Sequence, residues 1–242
     1  MNAQFIVSHP WFPTLTAAAI AVVVGLTVHR IGRLLLLRVT QSLPGLHGMV
    51  DNSRPAARWV LPLIGLQMAW QAAPADLQGM TAVRHFNGLL LIAAVAWLAV
   101  RAINGFTEGF LSRYPANVTD NLQARRLHTQ GRVLARTAIS VVLIAAASLM
   151  LMTFPGARQV GASLLASAGV IGIIAGLAAK PVFSNLIAGL QLALAQPIRI
   201  DDVLVVEGEW GRVEEITGTF VVLRLWDERC LILPLTYFIE KP

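Results

Sequence analysis

Hydrophobic residues lie in long blocks separated by arginine-bearing stretches up to about position 200, and then in short alternating runs to the end. Crossing a hydrocarbon core of ~30 Å takes about 20 apolar residues at 1.5 Å each, so the blocks of that size predict membrane helices. Five segments qualify: residues 11–28, 59–73, 86–106, 133–154 and 160–180. The second is short, carries Pro62 and stops at Pro74, which suits either a short span or a re-entrant segment. Lys180-Pro181 predicts a break or sharp kink, because proline lacks the amide donor and disfavours helical geometry in the residue before it. Beyond it, residues 182–196 resume helical periodicity, with Phe183, Leu186, Ile187, Leu190 and Leu194 on one face. That stretch suits an amphipathic helix on the inner membrane surface or against neighbouring subunits, or equally a helix capping the next domain. From Ile198 the pattern turns to strands: Val203 to Val206, Gly211 to Ile216, Phe220 to Leu225 and Cys230 to Leu233. Glu207-Gly208-Glu209 and Trp226-Asp227-Glu228-Arg229 supply turns, and the simplest assembly is a small barrel or partly open sandwich.

The expected fold class is therefore a membrane all-α chain of about five helices with a small C-terminal β-domain. Its organisation is four transmembrane helices over 1–158, a final span with the amphipathic helix over 159–196, and a β-barrel-like domain over 197–242. Composition agrees: of 242 residues 56% are hydrophobic and 13% charged, about half the charge of an ordinary soluble domain. The net charge of +6 would suggest nucleic acid in a soluble protein. Its distribution argues otherwise, since residues 1–200 hold fifteen basic and four acidic side chains, and residues 201–242 four basic and nine acidic.

Basic residues in short loops collect on the cytoplasmic side. Counted from the N-terminal tail through the five spans, Lys plus Arg run 0, 5, 1, 6, 1, 6. This alternation predicts an external N-terminus and an internal C-terminus, and it needs the weak second segment to cross. Residues 1–28 contain no Lys or Arg, so the positive start of a cleavable signal peptide is missing and the first segment is expected to remain.

The last span, GASLLASAGVIGIIAGLAA from Gly161 to Ala179, is built from small residues. Ala168, Gly172 and Gly176 form a small-xxx-small stripe, and in lipid such stripes let helix backbones approach closely. Gly169, Ile173 and Leu177 stack on a neighbouring face at four-residue spacing. Such a helix fits a ring of copies around an axis, or a single buried helix packing against its own chain.

Chemistry is sparse. Cys230 is alone, no Cys/His cluster offers a metal site, and phosphate-binding glycine motifs are absent. Glu214-Glu215 would point to opposite faces of a strand, and Asp201-Asp202 have no histidine nearby, so the carboxylates read as a solvated acidic surface. No enzyme, cofactor, metal or nucleic-acid partner is expected. No span carries a carboxylate at mid-depth and no inverted repeat is apparent, which disfavours a secondary transporter.

The order of these parts is distinctive: a Gly/Ala-rich last span, FSNLIAGLQLALAQPIRIDD, then EGEWGRVEEITGTFVVLRLWDERCLILPL. Over roughly Gly161 to Pro242 it resembles the mechanosensitive channel of small conductance family, through Ser184-Asn185-Leu186, Gly189, Pro197-Ile198-Arg199, Asp202, Gly208, Gly211, Val213 and Leu233-Pro234. The four earlier spans match only as generic membrane helices. The resemblance implies a homoheptamer in a bacterial inner membrane, gated by bilayer tension and releasing ions and small osmolytes on hypo-osmotic shock. Its partners would be the lipid bilayer, further copies of itself and the permeating solutes. Ile173 and Leu177 fall where the family places two apolar constriction rings, with Ala168, Gly169, Gly172, Ala175, Gly176 and Ala179 packing the pore helices. Lys180, Pro181, Asn185 and Gly189 fall at the kink and interface.

Two departures stand out. Pro181 replaces the family's usual kink glycine, which implies a more permanent break and altered inactivation. The family continues into an α/β domain that the chain is expected to lack after Pro242, so a truncated form or a non-conducting scaffold or sensor subunit is the alternative. Lys180 would bias a pore toward anions as a ring of charge, or snorkel to the interface as a single lysine.

Overall fold

The computed structural model describes residues 11–40, 43–74, 77–114 and 122–241. The expected external placement of the N-terminal tail falls on residues 1–10, outside the described residues. The described helices are α1 (Phe12–Val39), α2 (Pro44–Asn52), α3 (Arg54–Ala72), α4 (Met80–Leu111), α5 (Leu122–Met152), α6 (Arg158–Ala195) and α7 (Tyr237–Glu240), and the strands β1 (Val203–Val206), β2 (Glu209–Ile216), β3 (Phe220–Leu225) and β4 (Cys230–Pro234) lie between α6 and α7. The chain forms two compact units, residues 1–166 and 167–242.

In the first unit α1 pairs with α3, α3 with α4, α2 with α4 and α4 with α5. Among the described residues four helices, α1, α4, α5 and α6, are long and apolar enough to cross a membrane by length and composition. The short second segment is also helical. At 19 residues α3 reaches about 28 Å, close to the hydrocarbon thickness, yet its composition sets it apart from the other four. The helix α2, in what the sequence reads as a loop, is an addition.

Two helix crossings depend on missing side chains. At Gly48 of α2 and Gly105 of α4 the backbones meet so closely that a Cβ on Gly105 would lie 2.3 Å from the Gly48 carbonyl oxygen and 2.6 Å from Asn52 Cβ. At Gly25 of α1 an added Cβ would lie 2.8 Å from the Pro62 nitrogen of α3. Pro62 is buried in the helix interior, and the crossing at Gly25 gives its backbone a close neighbour. Where lipid offers no hydrophobic force between helices, this close approach supplies the packing that holds them together.

Polar contacts fix the same unit. Asn87 Nδ2 donates to Gln67 Oε1 at 2.6 Å and to the Leu63 carbonyl at 3.3 Å, tying α4 to α3. Arg84 Nε donates to the Trp70 carbonyl and its Nη2 to the Ala73 carbonyl, each at 2.8 Å. These carbonyls end α3, where a helix leaves acceptors unsatisfied and favours a positive charge. Arg84, in the second turn of α4 and the lone basic residue between the second and third predicted spans, therefore has a structural role. Ala73, Leu77 and Met80 are buried beside it, with Trp11, Trp70 and Val83 packed on them.

In the second unit the four strands form one antiparallel meander, β1-β2-β3-β4. Among the described residues the sheet is open, with β1 and β4 as its edges. Glu207 and Gly208 both have positive φ (54° and 83°), the requirement of a tight two-residue hairpin between β1 and β2. The register shifts between Val213 and Glu215, so Glu214 and Glu215 are both exposed instead of alternating.

Replacing Arg84 with alanine leaves the α3 terminal carbonyls unpaired and is expected to destabilise the chain by about 1–3 kcal/mol. Thermal unfolding in detergent measures it, with Arg84→Lys retaining part of the loss. Gly105→Ala forces the α2–α4 crossing apart and is expected to cost about 1–3 kcal/mol in the same assay, whereas Gly88→Ala, which meets open space within the same helix, does not lower the midpoint.

Candidate pore helix and its β-domain anchor

The residues singled out from the sequence lie along one element. Helix α6 runs from Arg158 to Ala195 with Pro181 inside it, so the break expected at Lys180-Pro181 is not present. Proline removes a single hydrogen bond, the one that would reach the Leu177 carbonyl, and the bonds on either side carry the helix past it. That missing bond marks a local weak point two residues after Ala179 and one turn beyond Leu177.

Near its start α6 is held by a close approach. A Cβ on Gly161 would lie 2.6 Å from the Ser148 carbonyl oxygen of α5, and Gly161 is buried there. From 166 to 178 every residue is exposed in the single chain, including Ala168, Gly169, Gly172, Ala175 and Gly176. Ile173 is 67% and Leu177 68% exposed, and added Cβ atoms at Gly169, Gly172 and Gly176 would meet nothing. Ile173 and Leu177 are one turn apart on the same face, about 6 Å along the axis. Gly169 precedes them on that face, while Ala168, Gly172 and Gly176 lie beside it.

The C-terminal half of α6 packs onto the sheet. Ala188 and Leu192 join Val206, Val213, Val221, Leu223 and Leu235 in one buried core. The bulky face read from the sequence, Phe183, Leu186, Ile187, Leu190 and Leu194, is turned away and exposed. The helix is therefore two-sided: a small-residue side caps the β-domain, and a bulky apolar side is free for lipid or neighbouring copies. Periodicity alone missed the buried side because Asn185, Ala188 and Gly189 carry little hydrophobic signal.

Asn185 and Gly189 explain themselves here. Asn185 Oδ1 accepts the Thr236 backbone N–H at 3.2 Å, joining the helix to the turn after β4. A Cβ on Gly189 would lie 3.0 Å from Leu235 Cδ1 and 3.3 Å from the Gly218 carbonyl oxygen, so glycine lets α6 sit down on the sheet. Lys180 is exposed.

Several carboxylates of the β-domain make surface ion pairs. Arg224 donates to both oxygens of Glu214, at 2.6 and 3.2 Å. The Tyr237 hydroxyl and the Lys241 ammonium donate to Glu207 at 2.8 and 3.2 Å. Those two hydrogen bonds, Tyr237 first, hold the Glu207 carboxyl below its ordinary value of 4.5. Among the described residues no group of three or more His, Cys, Asp or Glu side chains could hold a metal ion.

Two outcomes follow. Gly189→Val drives a branched side chain into Leu235 and is expected to loosen the helix from the sheet by about 1–3 kcal/mol, read as a lower unfolding midpoint and faster amide exchange at Val221 and Leu223. Because the folded Glu207 pKa is depressed, its contribution is complete above the ordinary carboxylate value and is lost as pH falls through the lower folded value. Protection of the Phe238 to Glu240 amides, relative to their intrinsic exchange at each pH, is therefore expected to fall on acidification below about 4.5, and Glu207→Gln to remove that dependence.

Comparison with known proteins bears on this arrangement. Residues 181–242 match the family described as "Mechanosensitive ion channel, beta-domain". The small-conductance mechanosensitive channel of Helicobacter pylori is 28% identical over 151 residues, covering 62% of this chain and 51% of that protein. An MscS family protein of Aquifex aeolicus is 33% identical over 72 residues, 30% of this chain and 20% of its own length. The chain thus spans about half the length of the first of these relatives and less of the second. Among solved structures, Arabidopsis thaliana MSL1 has the same fold at a TM-score of 0.57 and 18% identity, over 80% of this chain and 62% of that one. With a membrane helix array and a pore-helix candidate seated on a four-stranded meander, the chain is similar over its matched parts to small-conductance mechanosensitive channels, and residues 181–242 match the β-domain of that family.

Proposed function

We propose that the protein is a tension-gated, weakly selective ion channel that releases ions and small osmolytes on hypo-osmotic shock, without enzymatic activity. The observation that carries this reading is the exposure of α6 from 166 to 178, an apolar stretch uncovered on every side in the single chain. A lone membrane helix of that kind would be rich in Leu and Val. This one is rich in Gly and Ala, which lets copies of itself pack closely around an axis.

In that ring, with seven copies by family resemblance, Ile173 and Leu177 form two successive apolar collars. A narrow hydrophobic neck expels water, and an ion cannot shed its hydration there, so the closed pore is sealed by dewetting. Ala168, Gly169, Gly172, Ala175, Gly176 and Ala179 pack neighbouring helices and let them slide as the ring widens. Tension does work in proportion to area gained in the membrane plane, so it favours the wider state. Pro181 frees the Leu177 carbonyl beneath the second collar and makes this point the compliant one. Lys180 then stands as a ring of positive charge at the inner mouth and favours anions. Five spans, an external N-terminus and a bacterial inner-membrane location complete the reading, supported by the alternation of loop arginines.

Serine at Ile173 and Leu177 tests it, because a polar neck stays wet. Purified I173S/L177S protein in liposomes is expected to raise ion efflux without tension by about tenfold or more over the parent. Efflux equal to the parent, from protein folded and oligomeric to the same extent, contradicts the channel reading and favours a scaffold.

A further inference from the structure

Arg30 and Arg33 are three apart on α1, and Arg54 and Arg58 four apart on α3, so each pair shares a helix face. The structure brings the two faces together. His29, Arg30, Arg33, Arg54 and Arg58 line one cavity of about 560 Å³, with Val23 and Leu26 on its apolar wall. Only one of these arginines has an ionic partner among the described residues, Arg54 with Asp51 at 2.9 Å. Arg30, Arg33 and Arg58 have none there. The Arg33 Nε is buried without a hydrogen-bond acceptor, an arrangement that costs energy until an acceptor arrives.

We propose that this cavity binds the headgroup of an anionic phospholipid, with the phosphate diester between Arg30, Arg33 and Arg58 and an acyl chain against Val23 and Leu26. Guanidinium groups match phosphate oxygens in pairs, and a site with one cationic end and one apolar wall matches a lipid at the end of a transmembrane helix better than it matches a free anion. A zwitterionic lipid offers the same phosphate but adds a cation that three unpaired arginines repel. Arg54, already held by Asp51, completes the rim. The lipid would brace the α1–α3 pair at its basic end, where the crossing at Gly25 and Pro62 brings the two helices together.

Native mass spectrometry of the full chain in detergent, titrated with phosphatidylglycerol, phosphatidylcholine or inorganic phosphate, tests the site. Phosphatidylglycerol is expected to bind in preference to phosphatidylcholine, and millimolar inorganic phosphate not to displace it. Arg30 and Arg58 are exposed, so R30Q/R58Q is compatible with folding, which the unfolding midpoint checks. At about fivefold per lost charge, the pair is expected to weaken phosphatidylglycerol binding roughly 25-fold. The control pair R125Q/R126Q, exposed on α5, is expected to change it little. Equal binding of phosphatidylcholine, displacement by inorganic phosphate, or equal loss in both variants would overturn the proposal, the last by showing diffuse attraction in place of a site.

Discussion

The constraint on which the rest of the structure depends is the apolar surface of α6 that its own chain leaves uncovered. Thirteen consecutive residues, 166–178, are exposed, and among them Val170, Ile171, Ile173, Ile174 and Leu177 are each more than half accessible. Water cannot be the neighbour of such a surface, and leucine-poor, glycine-rich composition makes lipid alone a poor packing partner. In the proposed ring both demands are met: small faces meet small faces of adjacent copies, while Ile173 and Leu177 turn to the axis. The same feature that stabilises the ring would seal it.

The second unit gives that helix a fixed base. Ala188 and Leu192 enter the β-domain core, Asn185 holds the Thr236 amide and Gly189 admits Leu235. Residues on one side of Pro181 therefore answer to membrane packing, and residues on the other side to the sheet. With a hydrogen bond missing between them, the helix is most easily bent where the proposed collar ends. A gating motion concentrated there would leave the sheet intact.

Much of this was legible in the sequence, and the failures are instructive. Strands β1 and β3 have the predicted bounds, because alternation, β-branched residues and left-handed turn positions at Glu207 and Gly208 all agree. The helices run longer than their apolar blocks. Thus α1 continues past Val28 to Val39, because arginine at the membrane edge ends hydropathy without ending helical geometry. Alternation reports one buried face and not what covers it; here a helix does, through Ala188 and Leu192. The face of α6 that caps the sheet escaped notice because alanine, asparagine and glycine signal closeness only once a partner is known. Close crossings at Gly48, Gly105 and Gly25 were hidden for the same reason. The arginine cavity was half visible: spacing placed each pair on a face, but only the α1–α3 pairing could join them.

The most direct measurement is patch recording from the purified 242-residue chain in liposomes while suction is raised in steps. Discrete current steps, whose frequency rises with tension, are the result expected of a ring sealed by Ile173 and Leu177. Silence up to rupture of the patch, from protein shown to be folded and oligomeric, would contradict it.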